Sequence, residues 1–303
     1  MVGFNRQLLN PPRRENSNVS RRRDLEKHRR SLDEIREIMN SMKNLSFMET
    51  RKISGFLDVQ HSGVNHIETV AADFLGFYAD SLSEATDTAV DVYLLIGTER
   101  GFCGDFNHAL MRYFDRMPTT NDLDNVRLIC VGHKLEALLE NEEREIIFID
   151  GASVAEEVGT VLNRVVNHLA SIQQHYGSLN LYVLYHDEEN ELINQQLLPP
   201  FQNLLHQQSR QPHAPELNLQ PRKFLLDLSY HYLFVVLFEI LYTSLMAENC
   251  QRVAHLEAAV QHLDEQSEEL HRQGSVLRQE EIIEEIEVIL LSAASLEQQS
   301  FQG

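Results

Sequence analysis

Apolar residues recur at alternating three- and four-residue spacings in two stretches, from about Leu25 to Tyr78 and from about Phe224 to Leu296. In the first, Leu32, Ile35, Met39 and Met42 keep the pattern, followed by Ile53, Leu57, Gln60, Val64, Ile67, Ala71, Phe74 and Tyr78. In the second it runs through Met246, Asn249, Val253, Leu256, Val260, Leu263, Ser267, Leu270, Gly274 and Leu277. After a slip it resumes at Ile282, Ile286, Ile289, Ala293 and Leu296. A seven-residue repeat over two turns keeps one narrow apolar stripe on a helix, and such a stripe must be covered. Each stripe is the cheapest cover for the other, so the pattern predicts two long paired helices. The polar fillers Gln60, Asn249, Ser267 and Gly274 make the seam a weak one.

Between the two stretches the period changes. Strands are predicted at Val90–Ile96, Val126–Val131, Glu145–Asp150 and Leu179–Tyr185, and helices at Phe106–Arg116, Lys134–Glu140 and Val154–Tyr176. Ser153 followed by Glu156 reads as a capping box for the last of these. Alternating strands and helices argue for a mostly parallel sheet covered on both faces. Pro199, Pro200, Pro212, Pro215 and Pro221, set among glutamines, mark a linker. The organisation expected is a disordered basic arm at 1–20, a coiled-coil helix at 21–82, an α/β insert at 88–198, a linker at 199–221 and a second coiled-coil helix at 222–303.

Charge narrows the function. The chain has 303 residues, 43% hydrophobic, with a formal net charge of −20. Binding nucleic acid means neutralising phosphates with Lys and Arg, so nucleic acid is not an expected partner. The local exception is Arg13, Arg14, Arg21, Arg22, Arg23, Lys27, Arg29 and Arg30, either a solvated helix start or a patch for an acidic partner. Cys103, Cys130 and Cys250 lie far apart without a CxxC spacing and read as reduced, buried thiols. Fourteen histidines scatter without ligand spacing, so no metal site is expected. The first twenty residues lack the apolar core of a secretory signal; they are rich in Arg and poor in acids, but Pro11 and Pro12 would interrupt a transit-peptide helix. The apolar run Phe224–Tyr242 carries Asp227, His231 and Glu239, costly in hydrocarbon, and reads as a buried helix rather than a membrane span. The turn Gly97–Gly104 could cradle a phosphate, but it is neither GxGxxG nor GxxxxGK[ST], and tight packing under a helix is the simpler reading. No catalytic triad stands out, and no cofactor is expected.

Three separated blocks carry a resemblance. Ile38-Met-Asn-Ser-Met-Lys-Asn-Leu-Ser46 is similar to an ITxAMKxVA motif. Gly97-Thr-Glu-Arg-Gly-Phe-Cys-Gly-Asp-Phe-Asn107 is similar to SDRGLCGGLN, and Val131-Gly-His-Lys134 to the VGKK that follows it. Glu248-Asn-Cys-Gln-Arg252 with Ala254, Leu256, Glu257 and Ala259 tracks ExxxRMxAMxxA; Arg278-Gln-Glu-Glu-Ile-Ile and Ser292-Ala-Ala-Ser-Leu296 track RQxxIT and GAAAL. In this order over nearly the whole chain, the blocks resemble the gamma subunit of F-type rotary ATP synthases. The resemblance implies an α+β fold: an antiparallel coiled coil of the N- and C-terminal helices with an inserted Rossmann-like α/β domain. It implies a non-catalytic central-stalk rotor that couples ion translocation to ATP synthesis or hydrolysis. Its partners would be the alpha and beta subunits of the catalytic hexamer, the epsilon subunit and a membrane c-ring. It would sit peripherally at the cytoplasmic face of a bacterial membrane. Carried over by motif, the rotor contact residues are Met42, Lys43, Glu248, Arg252 and Gln279.

The chain also departs from the pattern. Its last helix is acidic, with Asp264, Glu265, Glu268, Glu269, Glu280, Glu281, Glu284, Glu285 and Glu287 against Arg272 and Arg278. Ile283 stands for the motif's Thr, Gly274-Ser275 replace its Tyr-Asn, and Leu219-Gln-Pro-Arg222 replaces the segment entering the last helix. These changes point to a divergent member. The alternatives are a coiled-coil scaffold or assembly protein, a nucleotide- or sugar-binding α/β enzyme, and a rotor paralogue of an atypical ATPase without a standard ion ring.

Overall fold

In a computed structural model of the chain, the described residues are 15–78, 89–117, 126–139, 146–204 and 213–300. Two helices dominate them, α1 (Glu15–Tyr78, 64 residues) and α5 (Pro221–Ser300, 80 residues). Proline opens α5, where a missing N–H costs nothing, and no other proline interrupts either helix. α1 begins inside the stretch read as an arm, and residues 1–14 lie outside the described ones. The chain divides into two compact units, Met1–Met42 with Leu256–Gly303 and Lys43–His255.

In the unit of helix ends, α1 and α5 pair antiparallel. Partner numbers on α5 fall as those on α1 rise: Arg22 to Glu281 at 3.1 Å, Asp33 to Ser267 at 3.2 Å, Arg36 to Asp264 at 3.0 Å. Leu32, Leu256 and Val260 are buried, as the repeat requires, whereas Ile35 is exposed and the flank of the seam passes through Arg36. Among the described residues the repeat after the slip has no cover, since Ile282, Ile286 and Ile289 are exposed. The start of α1 offers arginines rather than an apolar stripe.

The other unit is built on a sheet. Its strands are β1 (Val90–Ile96), β2 (Val126–Val131), β3 (Ile146–Ile149), β4 (Leu179–His186) and β5 (Leu192–Leu198), in the order β3-β2-β1-β4-β5. The first four are parallel; β5 returns antiparallel to β4. Helices α2 (Phe106–Phe114), α3 (His133–Leu139) and α4 (Val158–Tyr176) cover it. Side chains alternate between faces along a strand. Val92, Leu94, Ile96, Ile129, Leu181 and Val183 share one core with α4 and with Ile53, Leu57 and Phe74 of α1 and Val236, Leu237 and Ile240 of α5. Tyr93, Leu95, Leu128, Cys130 and Leu184 form a second core with α2 and α3. Within this unit α1 and α5 are again antiparallel, with rings of Phe74 and Phe224 4.9 Å apart and those of Phe56 and Tyr242 5.4 Å apart. α5 is long and apolar enough, by length and composition, to cross a membrane. Its run from Phe224 to Tyr242 instead packs in this core through Leu225, Tyr232, Val236, Leu237, Ile240, Leu241 and Tyr242.

Three expectations need correction. β5 escapes the sequence pattern because Asn194, Gln195 and Gln196 interrupt the alternation of LINQQLL, and at this edge of the sheet the ladder to β4 supplies the order. The capping box does not form: Glu157, not Ser153, precedes α4, and a short 3-10 turn at Ala155–Glu157 comes first. There the Ser153 N–H donates to Glu157 at 2.7 Å and the Ala155 N–H to Glu49 of α1 at 2.6 Å. A local carboxylate one residue later thus takes the serine amide, and a tertiary one takes a first-turn amide that a capping Ser153 hydroxyl would otherwise hold. Cys103 and Cys130 are buried, but Cys250 is exposed; all three are free.

The core contact is expected to dominate stability. Phe74→Ala removes a buried ring at the meeting of α1 and α5 and should cost about 3–5 kcal/mol, whereas Leu45→Ala on the exposed side of α1 should stay within about 0.5 kcal/mol. Urea unfolding of both variants checks this, and equal losses would refute the packing described.

Candidate functional site

The loop after β1 is densely tied to α2 and α5. It leaves the sheet at Gly97, where a Cβ would sit 2.7 Å from both Asn107 Oδ1 and Leu135 Cβ, so only glycine fits. Asn107, at the start of α2, closes the turn from both ends: Thr98 N–H donates to its Oδ1 at 3.0 Å, and its Nδ2 donates to Thr98 Oγ1 at 2.9 Å. Phe102 and Gly104 both take positive φ, 65° and 58°, which reverses the chain and leaves the Phe102 ring exposed. Left-handed backbone at a bulky residue persists only where its surroundings hold it.

What holds it is a buried ion pair. Glu248 and Arg252 lie one turn apart on α5, each only 3% exposed, and their side chains are in direct contact. Glu248 also accepts from the peptide N–H groups of Glu99 and Arg100, at 3.2 and 3.1 Å. Arg252 donates to the Gly101 carbonyl at 3.0 Å, to Asn249 Oδ1 at 3.0 Å and to Cys103 Sγ at 3.4 Å. Every edge of the pair thus finds a partner, which a buried pair requires. Burial pushes the Glu248 carboxyl up, against the pull of Arg252 and the two amides. Burial also pushes the Cys103 thiol up to about 12, with the Glu248 carboxylate adding to the effect, so it is a packed thiol and no nucleophile.

A second carboxylate closes the sheet edge. Glu99 accepts from the N–H of Gly151 at 2.7 Å and of His133 at 3.0 Å, joining the loops after β1, β2 and β3. In open α/β sheets the crevice beyond the carboxyl ends of the strands is where ligands bind, often phosphates on free amides. Here the chain's own Glu99 and Glu248 take those amides. His186, at the end of β4, completes the far side: its ring lies 3.8 Å from that of Phe106, and its Nε2 lies 3.1 Å from the Phe106 carbonyl. Nδ1 lies 3.4 Å from the Asn190 carbonyl, so both ring nitrogens face acceptors, and the shorter contact favours the proton on Nε2. Burial holds the imidazole below its usual range.

Of the residues carried over by motif, the structure brings Glu248 and Arg252 together. Lys43 lies in α1 of the same unit; Met42 and Gln279 belong to the unit of helix ends, where Met42 is half-buried and Gln279 exposed. Glu99, Asn107, Cys103 and His186 were not foreseen. The signal for the first three was the turn Thr98–Asn107 itself, whose polar residues have no reason to sit between a buried strand and a helix unless they are paired. His186 gave none. The acidic face of α5 is partly answered by α1: Asp264 and Glu281 meet arginines, while Glu265, Glu268, Glu280, Glu285 and Glu287 are exposed. Among the described residues no group of His, Cys, Asp and Glu could hold a metal.

Comparison with known proteins adds the decisive observation: a sequence profile described as ATP synthase matches residues 21–296. The chain belongs to the ATP synthase gamma family. No curated protein sequence matches it. Its fold is similar to a chain of the Euglena gracilis mitochondrial ATP synthase rotor in rotational state 1, with TM-score 0.57 and 15% identity, covering 87% of this chain and 99% of that one. It is similar to a chain of the same organism's OSCP/F1/c-ring assembly in rotational state 3, with TM-score 0.56, 16% identity and coverage of 92% and 95%. It is also similar to a chain of the central stalk and c-ring of Tetrahymena thermophila mitochondrial ATP synthase, with TM-score 0.52, 16% identity and coverage of 73% and 99%. At such identities the likeness is one of fold: long terminal helices with a central α/β sheet. All three come from mitochondrial enzymes, so the bacterial membrane expected from the sequence finds no support.

Two outcomes follow from the site of this gamma-family chain. Arg252→Ala strands Glu248 in the interior and should cost about 3–5 kcal/mol; Glu248→Leu with Arg252→Met should recover much of that in urea unfolding, while the loop loses its fixed geometry. If the double variant is no more stable than the single one, the pair is not the buried anchor described. His186 titrates with the opposite preference in the two states. The folded chain favours neutral imidazole and the unfolded chain takes its proton near pH ~6.5, so its contribution is complete above that pH and lost as pH falls through the lower folded pKa. The urea midpoint should fall more steeply below pH ~6.5 in the native chain than in His186→Gln; parallel curves would show that His186 carries no linkage.

Proposed function

We propose that this chain is the central-stalk rotor subunit of an ATP synthase and carries no catalytic group of its own. It would be seated in a hexamer of alpha and beta subunits and rest, with an epsilon subunit, on a membrane c-ring. Ion flow would turn the ring, the helix pair would turn with it, and an asymmetric rotor would bias the beta subunits among discrete states, with ATP made or hydrolysed there. The mitochondrial origin of the similar structures supports a mitochondrial over a bacterial complex. Met42, Lys43 and Gln279 remain the proposed contacts with partners, together with Arg100 and Phe102, which the buried pair presents outward.

The observation that carries this reading is the family match from residue 21 to 296, over both helices and the insert. The structure gives it a mechanical sense. A rotor's helix must carry its attached domain when it turns, and the Glu248–Arg252 pair fastens α5 to the sheet by side-chain and backbone hydrogen bonds at once.

Affinity purification of the tagged chain from its own cells should bring down alpha and beta subunits with ATPase activity. Recovery of neither, under conditions that keep an ATP synthase intact, would overturn the rotor assignment. In the assembled enzyme, Met42→Lys should lower ion pumping more than ATP hydrolysis, because it adds a cation beside Lys43 without removing core packing. Equal loss of both, in an intact complex, would remove Met42 from the coupling surface.

A further inference from the structure

α1 carries arginines at heptad spacing, Arg22, Arg29 and Arg36, which face α5 in the unit of helix ends. Two of them meet carboxylates: Arg22 engages Glu281 at 3.1 Å and Glu26 at 2.8 Å, and Arg36 engages Asp264 at 3.0 Å. Arg29 meets a histidine instead. Its Nη1 lies 3.2 Å from His271 Nδ1, and its Nε, like that of Arg36, is buried with no hydrogen-bond partner. Arg36 shares that orphaned Nε although it has a carboxylate, so what sets Arg29 apart is that no acid meets it among the described residues.

Beside it lies a hollow of about 180 Å³ lined by Arg22, Glu26, Arg29, Arg30, His271 and Arg278. Leu25, Leu270, Gly274 and Ser275 complete the wall, and a Cβ at Gly274 would meet nothing within 4 Å, so that side is open. Glu26 is already held by Arg22, and no carboxylate meets Arg29, Arg30 or Arg278 among the described residues. The neighbouring hollow on the other side of Arg29 contains Glu265 and Glu268, so its charge is balanced. Here it is not. In a chain of net charge −20, Arg22, Arg29, Arg30 and Arg278 line one small space with Glu26 as its one lining carboxylate. We propose that this hollow binds a phosphoanion of the diphosphate or triphosphate class. Guanidinium forks from two helices suit an anion with several oxygens in different directions, which phosphate groups provide and a single carboxylate does not. The proposal is independent of the rotor reading and stands on these side chains alone.

The test is equilibrium titration of the purified full chain with inorganic phosphate, pyrophosphate, tripolyphosphate and ATP, at low and at physiological salt. Saturable binding should strengthen from phosphate to tripolyphosphate. Arg29→Gln and Arg30→Gln should each weaken it about tenfold, one charge-assisted hydrogen bond being worth roughly that, while Arg164→Gln on α4 leaves it unchanged. Gly274→Glu, which raises helix propensity and so does not threaten folding, should abolish it by placing a carboxylate at the open side. ATP binding equal to tripolyphosphate would show that phosphates alone are read; tighter ATP would name a nucleotide as the source. Absence of saturable binding, indifference to the arginine substitutions, or tighter arginine-dependent binding of an oligoglutamate peptide would each overturn the proposal. None of these results bears on co-purification with alpha and beta subunits, so the two readings fail separately.

Discussion

The geometry of the sheet unit depends on one buried ion pair. Two opposite charges removed from water are expensive, and a pair such as Glu248–Arg252 is tolerated only because each group is fully used. The carboxylate takes two loop amides, and the guanidinium takes a loop carbonyl, an amide oxygen and a sulfur. Hydrophobic residues of like volume could stabilise the same helix as well. They could not specify where the loop runs, because dispersion contacts have no direction and hydrogen bonds do. The pair is therefore best understood as positioning: it fixes Gly101 to Cys103 against α5, including the left-handed residue Phe102.

The same constraint decides what becomes of the crevice of the Rossmann-like sheet. Its crevice is intact in topology, with β1 at the centre and loops converging at the strand ends. Glu99 from the loop and Glu248 from α5 bring negative charge into it from inside the chain. An internal anion bound to backbone amides is permanent, so it locks three loops and one helix together. In the rotor reading proposed above, that stiffness lets the domain follow a turning helix.

Charge is distributed by the same logic along the helix pair. An acidic α5 against a basic start of α1 places unlike charges on the two flanks of a seam that is short of apolar residues. Arg22 and Arg36 find carboxylates at heptad spacing and so help to set the register, though partly exposed pairs add little stability on their own.

Periodicity alone determined that the ends are long helices and the middle an alternating α/β segment. Three- and four-residue spacing cannot serve a strand, and β-branched runs such as Val90–Ile96 cannot keep one face buried as a helix. Motif order pointed to the family and singled out Glu248 and Arg252, but as rotor contacts; that they pair inside the chain against the loop after β1 came from the tertiary structure. Tertiary structure decided the rest. Whether LINQQLL is a strand depends on whether β4 offers it a ladder, and whether α4 is capped by its own serine or by Glu49 depends on where α1 lies. A glycine-rich turn reads as a phosphate cradle or a tight corner until the group facing its amides is known, and that group, Glu248, lies almost 150 residues away. Arg29 shows the same limit: its spacing is legible in the sequence, but that α5 presents a histidine there, where Arg22 and Arg36 meet acids, is fixed only by the register of the pair.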